Sequence, residues 1–136
     1  MEMAKGYSFG TTLDLPFDEA IPRTKAALKE ACFGVLTEIE MQATMKEKLD
    51  VDFERYLILG AYNPQRAHRA LQAEHELGLL LPCNVIVHEH DGVSAVSIVD
   101  PAVMLGVVDN PDLRAVADDA KARLARVAKA LGDEGR

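Results

Sequence analysis

The chain has 136 residues, 49% of them apolar and 27% charged, with a net charge of −7. This length suits one domain with a sizeable core, and the balance is that of a globular protein rather than a disordered tail or a membrane span. The acidic excess, with basic residues dispersed beside acids as in Lys46-Glu47-Lys48 and Arg114 near Asp118, argues against a nucleic-acid partner, which needs a concentrated basic face.

There is no Trp, and four Phe and three Tyr leave little material for a base-stacking platform. Met1-Glu2-Met3-Ala4-Lys5 leads into a polar, Gly-containing stretch without the apolar region of a signal peptide. No apolar run approaches the roughly 20 residues that span a bilayer. Two cysteines without an export signal point to free thiols in a reducing compartment, so a cytoplasmic location is expected.

Tyr7 to Leu13 is rich in β-branched and aromatic residues and runs into Leu15-Pro16, which predicts a strand ending ahead of a helix. From Phe17 the apolar or small residues fall at Ala20, Ile21, Thr24, Leu28 and Ala31, the spacing of one helical face. Pro22 lies near the start of that helix, where a missing amide costs least. Gly34 is expected to end it, and Val35 to Ile39 reads as a second strand with Glu38 near its end. A short helix over Met41 to Leu49 follows. Its Met41, Met45 and Leu49 share one side and read as core packing, with Gln42, Lys46 and Glu47 outside.

Tyr56-Leu57-Ile58-Leu59-Gly60-Ala61 is a continuous apolar run of strand length, expected at the centre of a sheet with both faces covered. Asn63-Pro64 supplies a helix cap and a proline at the first helical position, opening a helix through Ala67, Ala70 and Leu71. The alternation of strand and helix predicts parallel neighbours joined by right-handed crossovers in this half.

Cys83 to Glu89 and Val93 to Val99, joined through Asp91-Gly92, carry a strong hairpin signal. A two-residue turn there pairs His90 with Val93, Val87 with Val96 and Val85 with Ile98. One face then holds Cys83, Val85, Val87, Val96 and Ile98, and reads as core. The other holds Asn84, Ile86, His88, Ala95, Ser97 and Val99, and reads as partly solvated or covered by a second copy of the chain. After a helical turn at Ala102 to Leu105, Asn110-Pro111-Asp112 opens a final helix with the stripe Leu113, Val116, Ala117, Ala120, Leu124, Val127 and Leu131.

These elements predict a single α/β (α+β) domain over residues 1–136, with a mixed sheet of about five strands, helices on one main face and the order β-α-β-α-β-α-β-β-α. Gly34-Val35-Leu36-Thr37-Glu38-Ile39, Lys46-Glu47-Lys48-Leu49, Ile58-Leu59-Gly60-Ala61 with Asn63-Pro64, and Gly78-Leu79-Leu80-Leu81-Pro82-Cys83-Asn84-Val85 go further. With Asp100-Pro101 and Met104, they make the chain resemble, over nearly its whole length, the bacterial and archaeal family called Domain of Unknown Function 302. That resemblance implies a compact α/β fold with a mixed sheet, a homodimer and no established activity. Many relatives carry a cysteine just before Asn-Pro, where this chain has Tyr62, so a two-cysteine site with Cys83 is not available here.

Cys83, at the mouth of a strand, is the candidate catalytic nucleophile; the competing reading is a buried thiol on the core face of the hairpin. The candidate ligand-binding residues are Glu38, Asn84, Asn63, Tyr62 and Lys46. Glu38 lies near the strand end where open α/β sheets place ligands, and Asn84 is an amide inside a strand that must find partners. Asn63 has a sufficient structural role as a cap, and Tyr62 and Lys46 would complete a polar rim. His88 and His90 share one strand face at a spacing that suits a metal, but Glu89 points away and no third ligand is evident; His68 and His75 add nothing to that case. No metal or cofactor is therefore expected. Asp118-Asp119 reads as solvated.

Glycine-rich phosphate loops, Cys-x-x-Cys, His-Glu-x-x-His and nucleophile elbows are all absent from the sequence. The leading expectation is a homodimeric cytosolic small-ligand-binding or accessory protein, without nucleic acid or membrane partners. The alternatives are a thiol-dependent enzyme using Cys83 with Glu38 or Asn84, and a protein–protein interaction module. The sequence leans away from an enzyme.

Overall fold

The computed structural model describes residues 6–134. Strand β1 (Ser8–Leu13) leads into helix α1 (Phe17–Glu30), then β2 (Gly34–Glu40), α2 (Met41–Leu49), β3 (Tyr56–Tyr62) and α3 (Pro64–Ala73). A 3₁₀ turn at His75–Leu80 precedes β4 (Cys83–His90) and β5 (Val93–Val99). The short α4 (Pro101–Leu105) and a 3₁₀ turn at Pro111–Leu113 bring in the long α5 (Arg114–Glu134). The result is one α/β domain with a five-stranded sheet and the expected element order.

The strands lie in the order β1-β5-β4-β3-β2, and each adjacent pair is antiparallel. This corrects the parallel neighbours expected for the first half: β1 and β2, linked by α1 across the sheet, do run the same way but lie at its opposite edges, while β2, β3 and β4 alternate in direction. A crossover needs a helix that runs back along the sheet and covers it. α2 buries none of its residues, and α3 packs at the sheet's end against α5, so each link reverses the chain instead. For the same reason the stripe of Met41, Met45 and Leu49 is not core: both methionines are half-buried and Leu49 is 66% exposed.

The hairpin has the expected register, with His90 opposite Val93, Val87 opposite Val96 and Val85 opposite Ile98. Its turn places Asp91 at φ 54° and Gly92 at φ 78°, the paired positive values that let a two-residue loop follow the strand twist. Val85, Val87, Val96 and Ile98 are buried, and with Phe9, Leu13, Leu57 and Leu59 they make the sheet's inner face. Burying each such side chain stabilises by about 1.5–3 kcal/mol, so this face carries much of the fold.

α1 and α5 cover that face. Phe17, Ala20, Thr24, Ala27 and Leu28 are the buried residues of α1. The whole stripe expected for the last helix, from Leu113 to Leu131, is buried as well. Pro16 offers no side-chain cap to α1; instead Glu89 Oε2 reaches across and accepts from Phe17 N at 2.9 Å. Arg55 lies over the Phe17 ring, 4.5 Å from its centroid, and its guanidinium also binds both carboxylate oxygens of Asp18. The start of α1 is thereby fixed to the end of β4.

α1 does not end at Gly34. It closes through Cys32, held at φ 67°, and Phe33 N donates to Leu28 O at 2.9 Å. The Phe33 ring is buried in the main core, and this anchoring puts the left-handed position on a cysteine, leaving Gly34 to begin β2.

β3 is also not the central strand, a place taken by β4. Leu57, Leu59 and Ala61 face the core while Tyr56 and Ile58 remain half-exposed, because the long helices α1 and α5 both pack on the inner face. Gly60 shows one close approach on that second face: a Cβ there would collide with Thr37 Oγ1 and come within 2.7 Å of the Pro82 ring. Among the described residues no helix is long and apolar enough to cross a membrane.

Candidate functional site

β3 ends in Tyr62-Asn63, and the chain turns at once into α3. Asn63 Oδ1 accepts from Arg66 N at 3.1 Å, the cap geometry its sequence context predicts. β4 begins at Cys83 beside Ala61, its partner on β3. These two strand ends, with α3, α4 and α5 above them, enclose a slot of about 30 Å³ lined by Tyr62, Asn63 and Cys83. Its remaining walls include Ala67, Ala70 and Leu105.

Cys83 and Asn63 are each only 6% exposed. Burial pushes the Cys83 thiol up from 9.0 to about 11, since a thiolate there would lose its hydration without gaining a cation. It is thus a neutral thiol at physiological pH. A guanidinium stands near, but it is committed: Arg66 Nε donates to Asp119 Oδ2 at 2.6 Å, and Arg123 Nε reaches the same oxygen at 3.1 Å. The hydrogen bond from Arg66, followed by that from Arg123, holds the Asp119 carboxyl below its ordinary range. Asp119 is therefore not the freely solvated acid expected from the sequence. The Arg123 contact is an i,i+4 pair on one helix and is readable there; the Arg66 contact joins α3 to α5 and is not.

The other candidate residues lie elsewhere. Glu38 Oε2 is bound by Lys25 Nζ at 2.7 Å on the exposed edge strand. Lys46 pairs with Asp50 at 3.0 Å and stands 3.8 Å from Asp52. Asn84 is exposed on the sheet's second face opposite Gly60. The fold thus brings Tyr62, Asn63 and Cys83 together and leaves Glu38, Asn84 and Lys46 apart from them.

The second face has its own organisation. Register places Ile39 beside Ile58, Ile58 beside Ile86, Ile86 beside Ser97 and Ser97 beside Gly10, a row across the whole sheet. The next row sets Tyr56 beside His88, their rings stacked with centroids 5.5 Å apart. His88 Nδ1 is buried without a hydrogen-bond partner, the Glu54 carboxylate standing 3.7 Å away. Desolvation, and then the charge of Glu54, push the Tyr56 phenol up. His90 is solvated by the turn beside Asp91, and among the described residues no three metal-ligating side chains converge. A wider cleft of about 520 Å³ runs between α4 and the start of α5, lined by Asp109, Arg114 and Asp118.

A family model described as Domain of unknown function DUF302 matches residues 9–131. Among solved structures, the chain is similar to an uncharacterized conserved protein DUF302 from Bacillus stearothermophilus. Identity is 28% over 93% of this chain and 99% of that one, with a TM-score of 0.85. Comparison with the curated proteins gives no match.

Proposed function

The chain belongs to the family Domain of unknown function DUF302, and from that premise we propose that it is a homodimeric small-ligand-binding or accessory protein of the cytosol. The observation that carries this reading is the convergence of Tyr62, Asn63 and Cys83 on one slot. Concave sites with apolar walls and a few polar groups are where proteins hold small molecules. The half-exposed row of Ile39, Ile58 and Ile86 supports the dimer, since an apolar sheet face left partly open to solvent gains stability when a second copy covers it. Two free cysteines suit a reducing compartment.

The geometry favours binding over thiol catalysis. A nucleophilic cysteine needs a depressed pKa and a base at hand. Burial raises Cys83, Lys25 occupies Glu38, and Asn84 points to the opposite face of the sheet.

Sedimentation of the native chain and of Ile58→Lys, with amide chemical-shift mapping of a small-molecule screen, tests both halves. A dimer that the lysine splits, and shifts clustered at Asn63 and Cys83, are the expected results. A monomeric native chain overturns the homodimer. A screen that moves resonances only at the wider α4/α5 cleft overturns the slot as the ligand site.

A further inference from the structure

The second face of the sheet carries one ionisable ring among its apolar residues. His88 stands half-buried on β4, stacked on Tyr56 of β3 with ring centroids 5.5 Å apart. Its row continues through Ala95 on β5 to Thr12 on β1, and the row beside it is Ile39, Ile58, Ile86 and Ser97. The imidazole keeps 27% of its surface in solvent. Nδ1 is buried without a partner, so water reaches the ring nitrogens only at Nε2.

Few charges face that ring. Among the described residues the Glu54 carboxylate, from the segment ahead of β3, stands 3.7 Å from Nδ1. Tyr56 adds a phenol that desolvation, and then Glu54, keep protonated. His90, two residues further along β4, is solvated beside Asp91, and β5 opposes the ring with Ala95 alone. α2, packed at β3, holds Lys46, Glu47 and Lys48 in solvent, with Lys46 on Asp50. In a free chain Glu54 and the water at Nε2 both steady a protonated His88. A two-fold contact sets the same face against itself, and Ile58, Ile86 and Ala95 offer no acceptor in place of that water.

We propose that His88 makes the homodimer acid-sensitive: the neutral ring is covered together with the isoleucines by the second copy, and protonation puts a cation on that face and drives the two copies apart. This rests on the second face's being the dimer contact, and adds how that contact is regulated. A charge carried from water into apolar surroundings without a new partner is disfavoured, so the dimer binds the proton less well than the free chain. By linkage, a fall in pH then favours separate chains. Histidine is the side chain whose ordinary titration lies between pH 5 and 8. The charge of the whole chain acts with the opposite sign. With 22 acids against 15 bases, two copies repel at neutral pH, and acidification relieves that repulsion. Weakening in acid is therefore a signature that bulk charge does not produce.

Sedimentation equilibrium of the full-length chain at about pH 7.5 and about pH 5.5 reads the dimer dissociation constant. The native dimer is expected to weaken at least about tenfold at the lower pH, since separation takes up a proton on each chain. His88→Phe is expected to lose this dependence, its constants at the two pH values agreeing within about twofold, while His90→Gln keeps it. Should the phenylalanine variant not fold or not dimerise, His88→Gln, uncharged at both pH values, must likewise show no dependence. A native dimer that holds or tightens in acid overturns the acid sensitivity and leaves the homodimer standing. So does a His88 variant that weakens as the native dimer does, a dependence lost with His90, or the failure of both His88 variants to dimerise, which would make the ring a contact rather than a switch. A native chain that is monomeric at both pH values removes the homodimer reading itself.

Discussion

Lys121 Nζ lies 3.1 Å from Asp100 Oδ2, joining an ammonium that is half in solvent to a carboxylate only 1% exposed. The other oxygen, Oδ1, caps α4 by accepting from Ala102 N at 2.9 Å. Asp100 thus ties the end of β5 to the helix that carries Pro101 and Leu105 into the slot wall. Asp100→Ala, which removes both roles from a buried site, is expected to cost about 3 kcal/mol. Asp100→Asn keeps the cap and should cost less. Lys121→Met should cost about 1 kcal/mol, discounted because the lysine is partly solvated. Urea midpoints of the three variants check the order; an Asp100→Ala no weaker than Lys121→Met would contradict it.

Cys83 gives a pH signature whose sign follows from its raised value. A thiol that binds its proton more tightly in the folded state contributes in full below its ordinary value of 9.0 and loses that contribution as pH climbs to about 11. Unfolding free energy should therefore fall across that window by up to about 1.4 kcal/mol per pH unit from this group alone. Lysines and tyrosines titrate nearby, so the comparison is with Cys83→Ala, which should show a shallower decline between pH 9 and 11. Alkylation at pH 8 should modify exposed Cys32 readily and leave buried Cys83 intact until the chain unfolds.

Gly10 is required by its neighbour's backbone. A Cβ there would collide with Val96 O and lie 3.1 Å from Ser97 Cα, and no side-chain rotation relieves a clash with main chain. Gly10→Ala should displace β1 from β5 at a cost of about 2 kcal/mol. The loss should appear both in the denaturation midpoint and as faster hydrogen exchange in β1. Unchanged exchange would show that the strand absorbs the methyl group.

His88 offers the opposite sign. Its ring stacks on Tyr56 while Nδ1 stays buried without a partner. His88→Phe keeps an aromatic face against the tyrosine and removes the orphaned atom, so stability should hold or rise by about 1 kcal/mol. A marked destabilisation would mean that Glu54 draws closer to Nδ1 in solution than its 3.7 Å separation indicates.

What was legible in the sequence was local. Asp91-Gly92 specifies the β4–β5 register because a two-residue turn leaves one pairing for the valines that follow. Asn63-Pro64 and Asn110-Pro111 mark caps that form as written, with Asn110 Oδ1 accepting from Asp112 N at 3.0 Å. The stripe of α5 is readable because seven buried positions repeat at one helical period. Strand direction was not legible, since a strand–helix–strand run looks the same whether its helix crosses the sheet or turns aside at the edge. Nor was the bond between Arg66 and Asp119, which depends on how α3 meets α5. Of the candidate site residues, Tyr62, Asn63 and Cys83 come together because Ala61 pairs with Cys83, and that pairing follows from the topology rather than from any motif.

The pairing of β1 with β5 also governs the order in which the fold can be completed. Ser8 meets Val99, so among the described residues the strand made first has its only sheet partner in the strand made last. Until β5 is made, the strand carrying Phe9 and Leu13 has no strand among the described residues to pair with, while β2, β3 and β4 can already assemble with one another. Closing so long a loop is slow and leaves apolar strand surface unpaired in the meantime. A nascent chain arrested before Val93 should therefore engage a holding chaperone through its first strand, and one extended past α5 should release it.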